Sequence, residues 1–463
     1  MARTLQTRVA ESLQSLVIRL WPVRAAELRA CVTDRVTRRS RWSRELRRRH
    51  YLASSRWSRS RLRPIWAAEL RACVTDRSRW SRSRLRPTGA AELALAALLG
   101  LVSARLVFAG EPLLRVGTSD DYPPFSLRGR GFDVDAAEAM ARDFGMRIEW
   151  VRFRWPELRG KMRTDVFDVA MSGITWSPER AVVGWLSRAV AQGGPCVVGD
   201  PNVGLVAVNR GGVLESWARR RFAPRLIVSV DDNLSLPTLL EGGAVSAFVT
   251  DSFEAASRPR GTDHAVSCEP PRDRKVYWIA PQRASALGPR VDAWLAANET
   301  HLEELRRRWL GGTSPRDEVD NLIDLAARRL ALMPAVAAWK HAHGIAVENP
   351  AREQAVLARA EGAARAAGLD PDSVRSLFSV QIALAKAIER RASETEATLD
   401  LETELRPALS QIGDRIVASL AVAAPVEARA LAQDRLAPLA ELLSSEEVGE
   451  LRTVILGVRR SKS

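Results

Sequence analysis

The sequence predicts a multidomain chain in which a two-lobed α/β domain precedes an all-α domain. Three observations carry this. Between residues 112 and 311, short strand-like runs alternate with amphipathic helical stretches, the pattern of α/β units around a largely parallel sheet. From 316 to 460 Ala, Leu, Arg and Glu dominate and the apolar spacing is helical throughout. Both stretches differ from residues 1–110, which hold 24 Arg against 7 acidic residues. The remaining 353 residues balance to −2, so the net charge of +15 belongs to that one segment.

Taken in order, residues 1–92 are repetitive. Residues 55–77 recur almost unchanged from 78, at an offset of 23, and AAELRACVTDR also stands at 25–35. Arg, Ser and Trp alternate there without a sustained period, so no repeat unit has an apolar face to stack. The segment is expected to be disordered or a start-site artefact. It is not read as a nucleic-acid-binding arm, because a complete export signal follows it. Arg82, Arg84 and Arg86 precede the apolar hydrophobic region 93–109, which ends in Val107-Phe108-Ala109 with a small residue at the cleavage position. The mature protein is expected to be periplasmic or secreted after cleavage near Ala109, with no nucleic acid and no membrane beyond the signal peptide as partner. Past that point only Cys196 and Cys268 remain. An exported chain can bridge them, which the sequence leaves open, and no metal-type Cys/His spacing occurs.

In the α/β region, 113–118 alternates as a strand, 132–144 reads as a helix, and 147–153 and 166–174 read as strands. A second group follows: strands 203–208, 226–230 and 245–250, with helices 214–221 and 234–240. Two small lobes with a cleft between them result, and ligands in such sheets sit beyond the strand carboxyl ends. Leu114-Arg115-Val116-Gly117-Thr118, Asp121-Tyr122-Pro123-Pro124-Phe125, Gly131-Phe132-Asp133-Val134-Asp135 and Met171-Ser172-Gly173-Ile174-Thr175 with Glu179-Arg180 resemble the periplasmic amino-acid-binding protein family. Within it, Asn209-Arg210-Gly211-Gly212, Asp232-Asn233, Thr250-Asp251-Ser252-Phe253-Glu254 and Lys275-Val276-Tyr277 are most similar to the exported cyclohexadienyl dehydratases. The resemblance implies that Tyr122, Ser172, Gly173, Thr175, Arg180, Asp251 and Lys275 bind substrate.

Chemistry agrees. Arg180 lies five residues after Thr175, and an Arg fork with a Thr hydroxyl and backbone N–H groups makes a carboxylate clamp. A dehydratase acting on prephenate must protonate the departing hydroxyl while the ring carboxylate leaves as carbon dioxide. Glu254, just past strand 245–250, is nominated as that acid, since a carboxyl in a closed cleft has a raised pKa. Two stretches depart from the dehydratase pattern. Leu186-Ser187-Arg188-Ala189-Val190 and Gly193-Gly194 stand where a Phe-Ser-x-Pro-Tyr segment and a Gly-Lys pair are usual, and Val213-Leu214 replaces a polar pair.

The helical region is predicted to hold a long helix over 317–339, helices over 351–367 and 371–391, and three more after Thr398, Pro425 and Ser445. Asn349-Pro350 supplies an N-cap and N1 proline, and Gly368 a stop. Arg329 and Lys340 are 11 residues apart, three helical turns, at the ends of an apolar stretch. Inward cations of this kind need an anion. Gln381 and Glu389 share a face eight residues apart, and Arg415 sits mid-helix. Arg329-Leu330, Val336-Ala337-Ala338-Trp339-Lys340, Glu348-Asn349-Pro350-Ala351-Arg352-Glu353, Gln381-Ile382, Lys386-Ala387-Ile388-Glu389 and Asp414-Arg415 resemble the secreted gamma-class chorismate mutases. The resemblance implies that Arg329, Lys340, Arg352 and Arg415 hold the substrate's carboxylates and ether oxygen, that Glu389 faces the ether and that Gln381 binds substrate. Ala385 replaces a common polar residue of that family.

The two implied activities are consecutive. The expectation is an exported bifunctional enzyme of phenylalanine biosynthesis that converts chorismate to prephenate and prephenate to phenylpyruvate, with arogenate as a further candidate substrate of the second step. It is expected to use no cofactor and no metal, and the mutase resemblance allows a homodimer. The alternative is a chorismate mutase fused to a non-catalytic amino-acid-binding module.

Overall fold

A computed structural model describes residues 112–257, 264–312, 316–393 and 395–461. The expectations for residues 1–92 and 93–109 lie outside the described residues. The first lobe is a five-stranded sheet. Strand β1 (Leu113–Thr118) pairs in parallel with β2 (Arg147–Arg152) and β3 (Val169–Ala170); β4 (Trp185–Leu186) reaches the sheet later in the chain. Helix α1 (Phe132–Phe144) starts behind Gly131, whose φ of 138° only glycine adopts comfortably, and ends on the left-handed Gly145.

The chain then leaves the first lobe along β5 (Ala191–Gly193) and enters the second. There β6 (Pro195–Gly199), β7 (Val206–Asn209), β8 (Ile227–Val230), β9 (Ala247–Asp251) and β10 (Val266–Cys268) form a sheet of order β8-β7-β9-β6-β10. Helices α2 (Val213–Arg221) and α3 (Ser235–Glu241) cover it, and the short α4 (Ser252–Ser257) follows β9. The chain returns along β11 (Asp273–Lys275), antiparallel to β5, and joins the first sheet as β12 (Trp278–Ile279), giving the order β2-β1-β3-β12-β4. The paired strands β5 and β11 are therefore the hinge. The second lobe has its own small cores on either face of its sheet, whereas the apolar cluster of the first lobe runs without interruption into the helical domain.

Helices α5 (Ala284–Ala297) and α6 (Glu299–Trp309), which the periodicity reading leaves unassigned, complete the first lobe, with α6 packed on α1. Strand 166–174 is shorter than predicted; only 169–170 pair as β3, because the chain turns at Gly173. Cys196 on β6 and Cys268 on β10 lie opposite each other in register and are bridged.

In the helical domain, α7 (Glu318–Ala331) opens with Asp317 as N-cap in a capping box with Asp320. The long helix predicted over 317–339 breaks at Leu332, and α8 (Met333–Ala342) begins with Pro334 in its first turn, where proline can donate no backbone hydrogen bond. Helix α9 (Pro350–Ala366) is capped by Asn349, α10 (Pro371–Arg391) by Asp370, and Gly368 between them is left-handed. Helix α11 (Arg406–Ala423) follows one π-helical turn, Leu401–Leu405, and α12 (Ser445–Leu456) closes the domain. The helix predicted after Pro425 is instead two single turns, Ala428–Leu431 and Ala437–Ala440.

Candidate active sites

The helical site is a cavity of about 370 Å³, within the range of small-molecule sites. Helices α7 and α8 contribute Arg329, Met333, Val336 and Lys340 at spacings of four, three and four residues, one face maintained across the break. Phe378, Ile382, Ala385, Lys386 and Glu389 form the matching stripe of α10, Arg352 and Arg359 come from α9, and Arg406, Ser410, Gly413 and Asp414 from α11. The apolar residues make the stripe, and the cations rim it.

Four lining cations already have acidic partners: Lys340 with Glu389 at 2.7 Å, Lys386 with Glu353 at 3.0 Å, Arg359 with Asp414 at 2.6 Å, and Arg406 with Glu402. Among the described residues, Arg329 and Arg352 have no carboxylate partner. Arg329 is only 6% exposed, its Nε and Nη1 lack hydrogen-bond partners, and its guanidinium lies over the Phe378 ring. Burial lowers its pKa to about 10, which still leaves it charged at neutral pH. Buried unpaired cations are costly unless an anion meets them. Arg329 is such a cation, and with the half-buried Arg352 on the same cavity it suits a small dicarboxylate. Burial also raises the pKa of Glu389 above the ordinary carboxylate value, against the pull of Lys340.

Two sequence-assigned residues lie off this cavity. Gln381 is buried with its carbonyl oxygen unpartnered, at the edge of the α10 stripe and outside the lining set. Arg415 corrects the sequence expectation more fully. The cavity face of α11 runs through Arg406, Leu409, Ser410, Gly413, Asp414 and Val417, and Arg415 falls about 100° around the helix from Asp414. It turns to the α/β domain, pairing with Asp292 at 2.9 Å, donating to the Leu186 carbonyl and lying 4.5 Å from the Trp185 ring centroid. Arg359 was missed by sequence reasoning, yet it sits seven residues after Arg352, two turns along the same face.

The second site lies where the two lobes meet. Asp251 ends β9, and its Oδ1 accepts from the Phe253 and Glu254 N–H groups at 2.9 Å. Its Oδ2 meets Lys275 Nζ at 2.7 Å and accepts from the Tyr122 hydroxyl of the first lobe. Lys275 also donates to Thr175 Oγ1 at 3.0 Å, and Arg180 Nη1 donates to the Thr175 carbonyl at 2.6 Å. Arg180, in the short helix Pro178–Ala181, is buried against the Trp278 ring, which lowers its pKa to about 10. Glu254 accepts from Asn233 Nδ2 at 2.6 Å and from the Thr250 hydroxyl; burial nevertheless raises its pKa to about 8, with Asp251 adding to the rise. It is therefore a buried acid rather than a solvated helix start.

Tyr122, Thr175, Arg180, Asp251, Glu254 and Lys275 thus converge. Ser172 and Gly173 stand behind them. Ser172 Oγ is hydrogen-bonded to the Ser119 and Ser126 hydroxyls. The Gly173 N–H donates to Asp133 Oδ2 at 2.6 Å, so it is already occupied. Gly173 has φ +61°, and a Cβ there would come within 2.5 Å of the Tyr122 ring, so glycine is needed to seat that tyrosine. The departing stretch 186–190 has a different use: Arg188 pairs with Glu318 at 2.9 Å, and the Ser187 carbonyl accepts from Arg328, both partners on α7.

Comparison with known proteins agrees with this division. The bacterial extracellular solute-binding proteins, family 3, match residues 114–312, and chorismate mutase type II matches residues 317–390. Cyclohexadienyl dehydratase of Pseudomonas aeruginosa is 30% identical over 251 residues, covering 47% of this chain and 92% of that protein. The secreted chorismate mutase of Mycolicibacterium smegmatis is 40% identical over 68 residues, 15% of this chain and 38% of that protein. The L-arginine-binding protein of P. aeruginosa is 30% identical over 93 residues, 18% of this chain and 36% of that protein.

Proposed function

We infer that this chain, which belongs to the family of the cyclohexadienyl dehydratases and carries a type II chorismate mutase domain behind that fold, is a bifunctional enzyme of phenylalanine biosynthesis. The helical domain rearranges chorismate to prephenate, and the two-lobed domain converts prephenate to phenylpyruvate. The observation that carries the first step is the pair of unpartnered cations, Arg329 and Arg352, on an apolar cavity.

The rearrangement breaks a C–O bond and forms a C–C bond within one molecule, with no proton transferred. Catalysis is then restriction of the substrate to its folded conformer and stabilisation of charge on the ether oxygen. Arg329 and Arg352 take the two carboxylates. Lys340 and Glu389, already paired at 2.7 Å, stand at the breaking bond, and Glu389 works in its protonated form, because an ionised carboxylate would repel the developing charge.

In the second step the ring carboxylate leaves as carbon dioxide. Its electron pair becomes ring unsaturation, and the hydroxyl leaves as water with the proton of Glu254. Thr175, Arg180 and Lys275 hold the remaining carboxylate. Arogenate differs only at the side chain, so it fits the same acid.

The second reading, an amino-acid-binding module, draws on the buried Arg180 and on the altered stretch at 186–194. The two are separated by assaying prephenate loss while titrating amino acids. The enzyme reading expects turnover with competitive inhibition at most; saturable amino-acid binding with no prephenate loss would replace it. An exported location, periplasmic or secreted, is supported by the Cys196–Cys268 bridge. A homodimer through the helical domain is tested by sedimentation.

A further inference from the structure

The helical domain grips the back of the hinge. Hinge strand β11 sends Lys275 forward to Asp251, Thr175 and Tyr122. Side chains alternate across a strand, so Arg274 points the other way, and its Nε donates to Asp324 Oδ1 on α7 at 2.6 Å. The other oxygen, Oδ2, takes Arg316 Nη2 at 2.6 Å, and Arg316 Nη1 reaches Gln192 of β5 at 3.4 Å. Gln192 is the register partner of Arg274. One carboxylate, 2% exposed, thus ties both crossing strands to the helical domain. The Arg316, Arg274 and Arg328 guanidiniums hold it below the ordinary carboxylate value against burial.

Nothing in the dehydratase reaction requires a charge at this place, and the residue belongs to the other domain. We propose that Asp324 is a positioning residue of the two-lobed site: by fixing the back of β5 and β11 it sets lobe closure and the place of Lys275. The proposal rests on the dehydratase reading. A two-lobed site binds with an apparent affinity scaled by the fraction of closed molecules. Loosening the hinge therefore weakens prephenate binding while the helical cavity, which Asp324 does not line, is untouched.

The test uses the full chain. Asp324→Asn should raise KM for prephenate about tenfold, with kcat changed much less and chorismate consumption within about twofold. Asp324→Glu should recover most of the loss. Hydrogen exchange at the β5 and β11 amides is measured on the same samples without substrate and should quicken in Asp324→Asn. Unchanged KM with unchanged exchange overturns the proposal, and so does parallel loss of both activities in a folded variant. If Asp324→Asn does not fold, Arg274→Gln, which leaves Asp324 its Arg316 partner, must give the same split. A wild-type chain inert toward prephenate defeats the dehydratase reading alone; the exchange rates then still decide for or against the hinge clamp.

Discussion

At the residue scale, each proposed reaction turns on one carboxylate whose environment raises its pKa. Glu254→Gln keeps the shape and, through its amide oxygen, the bond from Asn233, while its NH2 needs the Thr250 hydroxyl to accept. It has no acidic proton to give, so prephenate turnover should be abolished while chorismate consumption is unchanged. Turnover by the wild type should fall as pH rises past about 8, as Glu254 ionises. The same shift has a stability consequence. A group with a raised folded pKa stabilises fully below its unfolded value, and that contribution is lost as pH rises through the folded value. For Glu254 the window runs from 4.5 to about 8, and for Asp133, raised by burial, from 3.8 to about 7. The thermal midpoint of Glu254→Gln relative to wild type should therefore rise from pH 5 to pH 8; a constant difference would mean that Glu254 is not protonated in the fold. In the helical site, Glu389→Gln, a permanent donor, should retain mutase activity and flatten its alkaline limb, whereas Glu389→Ala should lose activity at every pH. Arg329→Ala should cost kcat about 10²–10³-fold, because it also leaves a substrate carboxylate unpaired. A Glu389→Gln variant dead throughout would leave Glu389 as a charge partner of Lys340.

At the element scale, spacing made much of the fold readable. The eleven-residue interval from Arg329 to Lys340 predicts a common face, and both line the cavity even though the helix breaks between them. The caps at Asn349 and Asp370 and the stop at Gly368 stand where local chemistry predicts them. Arg415 was not readable in this way. Spacing places a residue on a helix face but does not say which neighbour that face meets, and α11 has the cavity on one side and the α/β domain on another. Helix α5 escaped because Gly288-Pro289 reads as a helix breaker, whereas α6 does carry a helical apolar face in Leu302, Leu305 and Trp309 and was readable. The disulfide between β6 and β10 depends on strand register, which cysteine spacing alone does not reveal. It closes a 72-residue separation, so replacing both cysteines by serine should lower stability by about 2–4 kcal/mol, measured by denaturant unfolding of the oxidised protein. No loss would mean that the bridge is dispensable to the second lobe.

At the scale of the whole molecule, two functions share one framework. The first lobe and the helical domain are joined by a continuous apolar core and by ion pairs, Arg188–Glu318, Arg274–Asp324 and Arg415–Asp292 among them. The stretch 186–190, which departs from the dehydratase pattern, supplies Arg188 to one of these pairs, and its Leu186 and Ser187 carbonyls accept from Arg415 and Arg328 of the helical domain. The departing stretch therefore serves docking of the helical domain, while Glu254, the proposed acid, keeps its Asn233 and Thr250 donors. This relation between a local sequence change and a distant domain is invisible in one dimension. The residues named for the two sites all lie between 122 and 417, so a chain of residues 110–463 should retain both activities; a large loss would show that the N-terminal segment contributes. The central claim is that the two sites act in sequence, and it is tested most directly by supplying chorismate to the purified full chain and identifying the product. The account predicts chorismate loss with phenylpyruvate and carbon dioxide as end products. Stoichiometric accumulation of prephenate would contradict it.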